Sequence, residues 1–216
     1  MIAVDQWAVW LPELLKGLWL SIQLAVISLA IGLPGGCLLA LAVIGKSRIL
    51  RIAALVVVEV GRGSPALIVL YFVYYGLPGI GVVLDNFAAA VAAFAFTTAA
   101  YTSENFRAGI QAVPIGQLEA AHALGMRYRH WFLDIVLPQG MRSAAPALIG
   151  FSVSLFQTTA LAFTIALPEL LSRAYSIGSS TFQYLDVLTL AGLLYLAVTL
   201  PVTWYANRLS AAGGRR

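Results

Sequence analysis

The chain has 216 residues, of which 61% are apolar and 10% charged, and a net charge of +4. A soluble domain carries about 25% charged residues, so composition excludes the soluble classes and leaves room for one membrane domain. Cys37 is the single cysteine, so no internal disulfide forms.

Asp5, Glu13 and Lys16 precede the first apolar run. There is no basic leader and the run is too long for a signal core, so the N-terminus is not read as a secretory signal. A helix needs roughly 20 apolar residues to cross a bilayer, and five windows are predicted to do so. The first covers residues 17–44, broken near Pro34-Gly35-Gly36. The second covers 52–75. The third, 87–102, is short and alanine-rich. The fourth covers 144–167 and the fifth 184–205. The runs lack two-residue alternation and exceed the length of a barrel strand, whereas helices satisfy their own backbone groups in lipid. The expected fold is therefore an all-α integral membrane protein of about five transmembrane helices in a single domain, 1–216. The connections 76–86 and 168–183 carry turn formers, and no inverted repeat is visible.

Basic residues collect on the cytoplasmic side of membrane proteins. With the N-terminus outside and five crossings, that side holds Lys46, Arg48, Arg51, Arg107, Arg127, Arg129, Arg142, Arg208, Arg215 and Arg216. The outside holds Lys16 and Arg173, and Arg62 falls within the second span. The opposite orientation reverses this bias and is rejected. The C-terminus and the segment 111–140 are then cytoplasmic.

In that segment Pro114 and Gly116 break the preceding helix, and a short helix is predicted over 116–124. Glu119 lies in its first turn, where the helix dipole favours a carboxylate. Ala120 and Ala121 are small enough to let another surface approach. Gly125 suits the left-handed position that ends a helix. Beyond it, Tyr128, Trp131, Phe132 and Ile135 alternate with Arg127, Arg129, His130 and Asp134, as in a helix lying in the membrane interface. Pro138 is expected to start the turn into the fourth span.

The order Glu119-Ala120-Ala121, three positions, Gly125, nine positions, Ile135, one position, Leu137-Pro138 resembles the cytoplasmic coupling loop of bacterial ATP-binding-cassette importer permeases. Within that family, Arg62-Gly63-Ser64-Pro65, Ala100-Tyr101, Glu104, Arg107, Ile110, Gly116-Gln117 and Thr159-Ala160-Leu161 resemble permeases for polar amino acids. Together these cover roughly residues 17–206. The resemblance implies a type I importer permease fold in the bacterial cytoplasmic (inner) membrane, crossing it several times. It implies a non-catalytic pathway subunit that takes a polar amino acid from an external solute-binding protein and releases it inside by alternating access. It implies three kinds of partner: an ATPase dimer that binds ATP and Mg, a second permease that is identical or paralogous, and the solute-binding protein. Glu119, Ala120, Ala121, Leu124 and Gly125 are then the ATPase-coupling residues. One position departs from the family: Gln157 stands where lysine is common, which leaves the substrate class less constrained than the machine.

Glu59 and Arg62 lie three residues apart in the second span, on one helical face. An ionised group at mid-bilayer costs roughly 2.5–3.5 kcal/mol, so they are either a structural pair or substrate contacts, with Arg62 binding a carboxylate. Ser64, Gln157 and Thr158 are further substrate candidates, alongside the alternative of helix–helix hydrogen bonds. Glu104 and Arg107 form a second pair, read as a gate or structural pair.

Other motifs fail. Gly45-Lys46-Ser47 imitates a phosphate loop but has Ala40 at the first glycine position and closes an apolar helix, so a nucleotide site belongs in another chain. Gly61, Gly63 and Ala66 are interrupted by Pro65. His122 and His130 lack cysteine partners for a metal. No nucleophile–base pair is present, and the basic residues follow the membrane rule, which argues against nucleic-acid binding. A secondary transporter or channel working without an ATPase is the alternative class, and it has no use for the coupling pattern.

Overall fold

The computed structural model describes residues 6–213, with side chains for residues 6–208. Asp5, Arg215 and Arg216 lie outside them. Every regular element described is helical: α1 Trp7–Ile44, α2 Arg48–Gly63, α3 Ala66–Tyr71, α4 Asn86–Gln111, α5 Ile115–Ala123, α6 Tyr128–His130, α7 Leu137–Thr158, α8 Leu170–Thr181 and α9 Tyr184–Gly213. Residues 72–80 continue α3 in π and 3-10 geometry. Trp131–Val136 joins α6 to α7 as a π-helix, and Thr159–Ile165 extends α7 as a 3-10 helix.

Helix α1 has 38 residues, about 57 Å at 1.5 Å per residue. Its buried Leu14, Gly17, Ser21, Leu24 and Ser28 recur at steps of three or four residues and form one stripe. Trp19, Val26, Ile31 and Leu38 point away from the bundle and stay exposed, as befits a helix whose outer face meets lipid. The alanine-rich α4 runs through the middle, packed on α1, α2, α3 and α7. Its alanines Ala89, Ala90, Ala93 and Ala100 are fully buried. Small side chains bring the helix axes close together, as in membrane bundles generally. At the α4–α7 crossing, a Cβ on Gly109 would lie 2.4 Å from the Gly140 carbonyl oxygen.

One core cluster joins Leu24, Leu70, Ala93, Phe94, Leu155 and Ile165. A second, at the other end of α1, joins Trp10 and Leu14 to Leu170 and Ala174 of α8 and Val187 of α9.

Three helical stretches are long and apolar enough to cross a membrane: Trp7–Ile44, Tyr128–Ile165 and Tyr184–Arg208. The bent pair Arg48–Gly63 and Ala66–Ile80 makes up to four. Helix α4 has 26 residues, and much of its surface faces protein.

Several local expectations are corrected. Helix α1 continues through Pro34, because packing on α4 holds the turn that loses its hydrogen bond. The second window is two helices bent by 106°. Pro65 cannot donate and drives Ser64 into extended backbone at φ −93°, ψ 132°. The third window is extended to Gln111. Pro138 makes no turn: the helix is unbroken from Tyr128 to Ile165. The π-helical register just before it absorbs the proline, as inserted residues in a helix do. The connection 168–183 is mostly the helix α8.

Candidate coupling surface and substrate pathway

The segment between α4 and α7 folds as expected around a short helix, α5. Gly125 has φ +68°, and the end of α5 is closed by two bonds. The Met126 N–H donates to the Ala121 carbonyl at 3.1 Å, and the Gly125 N–H donates to the His122 carbonyl at 2.9 Å. This paired closure is the Schellman arrangement, which needs a left-handed residue just past the helix. Glu119, Ala120, Ala123 and Leu124 are exposed along the outer side, with Leu124 at 79%. Ala121 is corrected: it is 2% exposed and turned into the protein, so its small size admits the chain's own packing and offers no surface to a partner.

Behind α5, rings tie the loop to the span. His122 meets Trp131 edge-on at 5.5 Å, Tyr128 meets Trp131 at 5.0 Å, and Tyr128 stacks on Phe132 at 5.7 Å. Trp131 and Phe132 belong to the helix that becomes α7, so a displacement of α5 reaches α7 through ring contacts.

The intramembrane candidates are placed differently from the sequence expectation. Glu59 and Arg62 are both exposed, and among the described residues no ion pair joins them. Arg62 instead faces α4. The Tyr101 hydroxyl donates to its carbonyl at 3.1 Å, and its charge acts on Glu104. Glu104 and Arg107 do form the expected pair. Arg107 Nε donates to both carboxylate oxygens at 3.2 Å, and its Nη2 also bonds Glu104 Oε2. Arg62, Glu104 and Arg107 thus form one charged group on α2 and α4.

Ser64 sits at the bend, lining a cavity of about 410 Å³ whose other walls, including Val60, Ile68, Phe72 and Phe96, are apolar. Gln157 is exposed near the end of α7, and Thr158 donates to the Ser154 carbonyl at 2.8 Å. Among the described residues no hydrogen bond joins Glu59, Arg62, Ser64, Gln157 and Thr158 to one another. Ser154, Gln157 and Thr158 instead form a polar edge along α7. Tyr101, stacked on Phe151 at 5.7 Å, connects α7 to the Arg62 group. Among the described residues no group of three or more His, Cys, Asp or Glu side chains gathers to hold a metal ion.

Glu169 was not singled out in the sequence. It is fully buried and caps α8, accepting from the Ser172 and Leu171 N–H groups at 2.7 and 2.9 Å. The Tyr195 hydroxyl of α9 and the Ser21 hydroxyl of α1 donate to it at 3.2 and 3.3 Å. Burial pushes its carboxyl above the ordinary value, and the four donors offset part of that. The available signal was a carboxylate just ahead of an amphipathic run, Leu170-Leu171-Ser172-Arg173.

Residues 32–212 match the model of the binding-protein-dependent transport system inner membrane component family. The chain belongs to this family. It is 38% identical over 195 residues to the arginine transport system permease protein ArtQ of Bacillus subtilis (strain 168), covering 90% of this chain and 89% of that one. It is 36% identical to the L-cystine transport system permease protein TcyB of the same organism, covering 82% and 76%. Among solved structures, a crystal structure of an amino acid ABC transporter with histidines superimposes with a TM-score of 0.91 at 29% identity, covering 100% of both chains. The permease therefore has the type I importer fold. It is a transmembrane, non-catalytic component of a transport system, and α5 with Gly125 stands where the coupling pattern was read.

Proposed function

We propose that this permease forms the pathway of an ATP-driven importer for a polar amino acid in the bacterial cytoplasmic membrane. Its ATP and Mg are bound by a separate ATPase dimer. A solute-binding protein delivers ligand to the outer end, and a second permease chain completes the pathway. The carrying observation is α5: a short, capped helix that is exposed on one side and tied by rings to α7 on the other. The relatives named for arginine and L-cystine support the substrate class. Both ligands carry an α-carboxylate and an α-ammonium group, which suit a cation at Arg62 and a carboxylate at Glu59. Ser64, Gln157 and Thr158 are proposed as further contacts along the pathway, and Glu104–Arg107 as a gate pair.

The orientation proposed from the basic residues is supported by how the fold groups them. Lys16 and Arg173 both bond Glu13, so the outer end neutralises its cations. Lys46 and Arg127 to Arg129 cluster at the α5 end.

The test is mechanical. Ala120→Arg places a bulky cation on the outer side of α5. Gly125→Val forces a branched residue into a left-handed turn, at about 1 kcal/mol or more. Both are expected to reduce ligand-stimulated ATP hydrolysis and uptake together, while the permease still purifies with its ATPase. Unchanged coupling in both variants removes α5 as the drive contact.

A further inference from the structure

A cavity of about 410 Å³ lies between α5 and the bundle, within the roughly 300–1,000 Å³ range of small-ligand sites. The last turns of α1 and α4 supply Ile44 and Ile110. The inner side of α5 supplies Ile115 and Leu118, and the approach to α7 supplies Trp131 and Phe132. Besides the Tyr128 hydroxyl and the Trp131 indole N–H, the polar groups in this lining are those of Lys46 and Gln111. Lys46 is exposed, its ammonium 5.6 Å from the Tyr128 ring centroid, and among the described residues it has no ion pair. Gln111 accepts from Arg107 at 3.3 Å through its carboxamide oxygen, which leaves its NH₂ group free to donate. No carboxylate lines the cavity. The site thus offers a cation and a donor at its polar side and an apolar interior. It sits where the apolar runs of α1 and α4 end, and Tyr128 and Trp131 are residues that favour the headgroup level.

We propose that this cavity binds an anionic phospholipid, with the phosphate-bearing headgroup at Lys46 and Gln111 and acyl carbons against Ile115 and Trp131. A free phosphate would leave the apolar walls wet. The face of α5 offered to an ATPase is the opposite one, through Ala120 and Leu124. A lipid seated here wedges the coupling helix against α7 and makes the link stiffer. The inference rests on the membrane orientation proposed above, which places this end at the cytoplasmic leaflet.

The experiment reads bound lipid, so its failure is separable from failure of the importer reading. The full-length permease, alone and with its ATPase, is extracted from nanodiscs of equal phosphatidylcholine and phosphatidylglycerol, and retained lipids are counted by native mass spectrometry. Wild type is expected to retain phosphatidylglycerol preferentially. Lys46→Gln should lower that preference roughly fivefold, the weight of one basic residue near an anionic surface. Lys46→Arg should restore it, and Arg208→Gln, away from the cavity, should leave it unchanged. Ile115→Trp should fill the cavity and lower retention of both lipids. Equal retention of the two lipids by wild type, an unaltered preference in Lys46→Gln, or unaltered total retention in Ile115→Trp overturns the proposal. So does preference that disappears once the ATPase is bound, since the cavity is then an ATPase contact.

Discussion

Glu169 shows how much one buried carboxylate can organise. Its oxygens accept from α8, α9 and α1 at once, so removing it leaves several donors unpaired, at about 1–3 kcal/mol for each group left unsatisfied. Glu169→Ala is expected to lower the unfolding midpoint by far more than Glu169→Gln, which keeps one acceptor oxygen in place. The pH dependence has a definite sign. A carboxyl raised in the folded state binds its proton more tightly there. The stability it contributes is full below its unfolded pKa and is lost as pH rises through the folded value. Thermal melts from pH 4 upward should therefore show wild type losing stability across that window, with Glu169→Gln flatter. Parallel curves for the two proteins would show that Glu169 stays ionised. At Arg62, an exposed cation that has no ion pair among the described residues and whose charge acts on Glu104, Arg62→Ala should sharply lower uptake without loss of assembly. Normal uptake would make it dispensable.

Elements were legible where local chemistry decides them. Pro114 ahead of α5 and Gly125 after it fixed that helix almost to the residue, because a missing donor and a left-handed turn are properties of single residues. The 106° bend was half visible: Gly63 and Pro65 marked a disturbance, but its angle comes from how α3 packs on α4. Pro34 and Pro138 misled for the opposite reason. Their neighbours hold the helix together, through α4 in one case and a π-helical turn in the other, and nothing in the adjacent sequence says so. The burial of Ala121 was likewise hidden, since a nine-residue helix with a weak apolar stripe does not show which alanine faces the chain. The α4–α7 crossing gives an element-scale test. Gly109→Val would drive a side chain into the Gly140 carbonyl, and overpacking of this kind costs about 1–3 kcal/mol. A Cβ added at Gly150 meets nothing within 4 Å, so Gly150→Ala should be near neutral. Melting curves of the solubilised permease compare the two; equal midpoints would show that the crossing yields easily.

Over the whole molecule, an apolar exterior and a small-residue interior describe a membrane bundle. The all-helical membrane class was readable because lipid imposes long apolar runs, and the family because the spacing from Glu119 to Pro138 is a local pattern. The substrate site is a different matter: among the described residues no hydrogen bond joins Arg62, Ser64 and Gln157, and a pathway between two permeases would be shared across copies. Topology is checked by impermeant thiol labelling in intact cells, in a Cys37→Ser background. A cysteine at Gly79 should react, and one at Leu124 should react only after the membrane is opened. Labelling of Leu124→Cys in intact cells would invert the orientation. The most direct measurement is uptake of a radiolabelled polar amino acid into proteoliposomes holding the permease and its ATPase, with ATP sealed inside and the solute-binding protein outside. The expected result is accumulation that requires ATP hydrolysis and the binding protein together. Equal accumulation without ATP, driven by an ion gradient or by the substrate's own, would contradict the account.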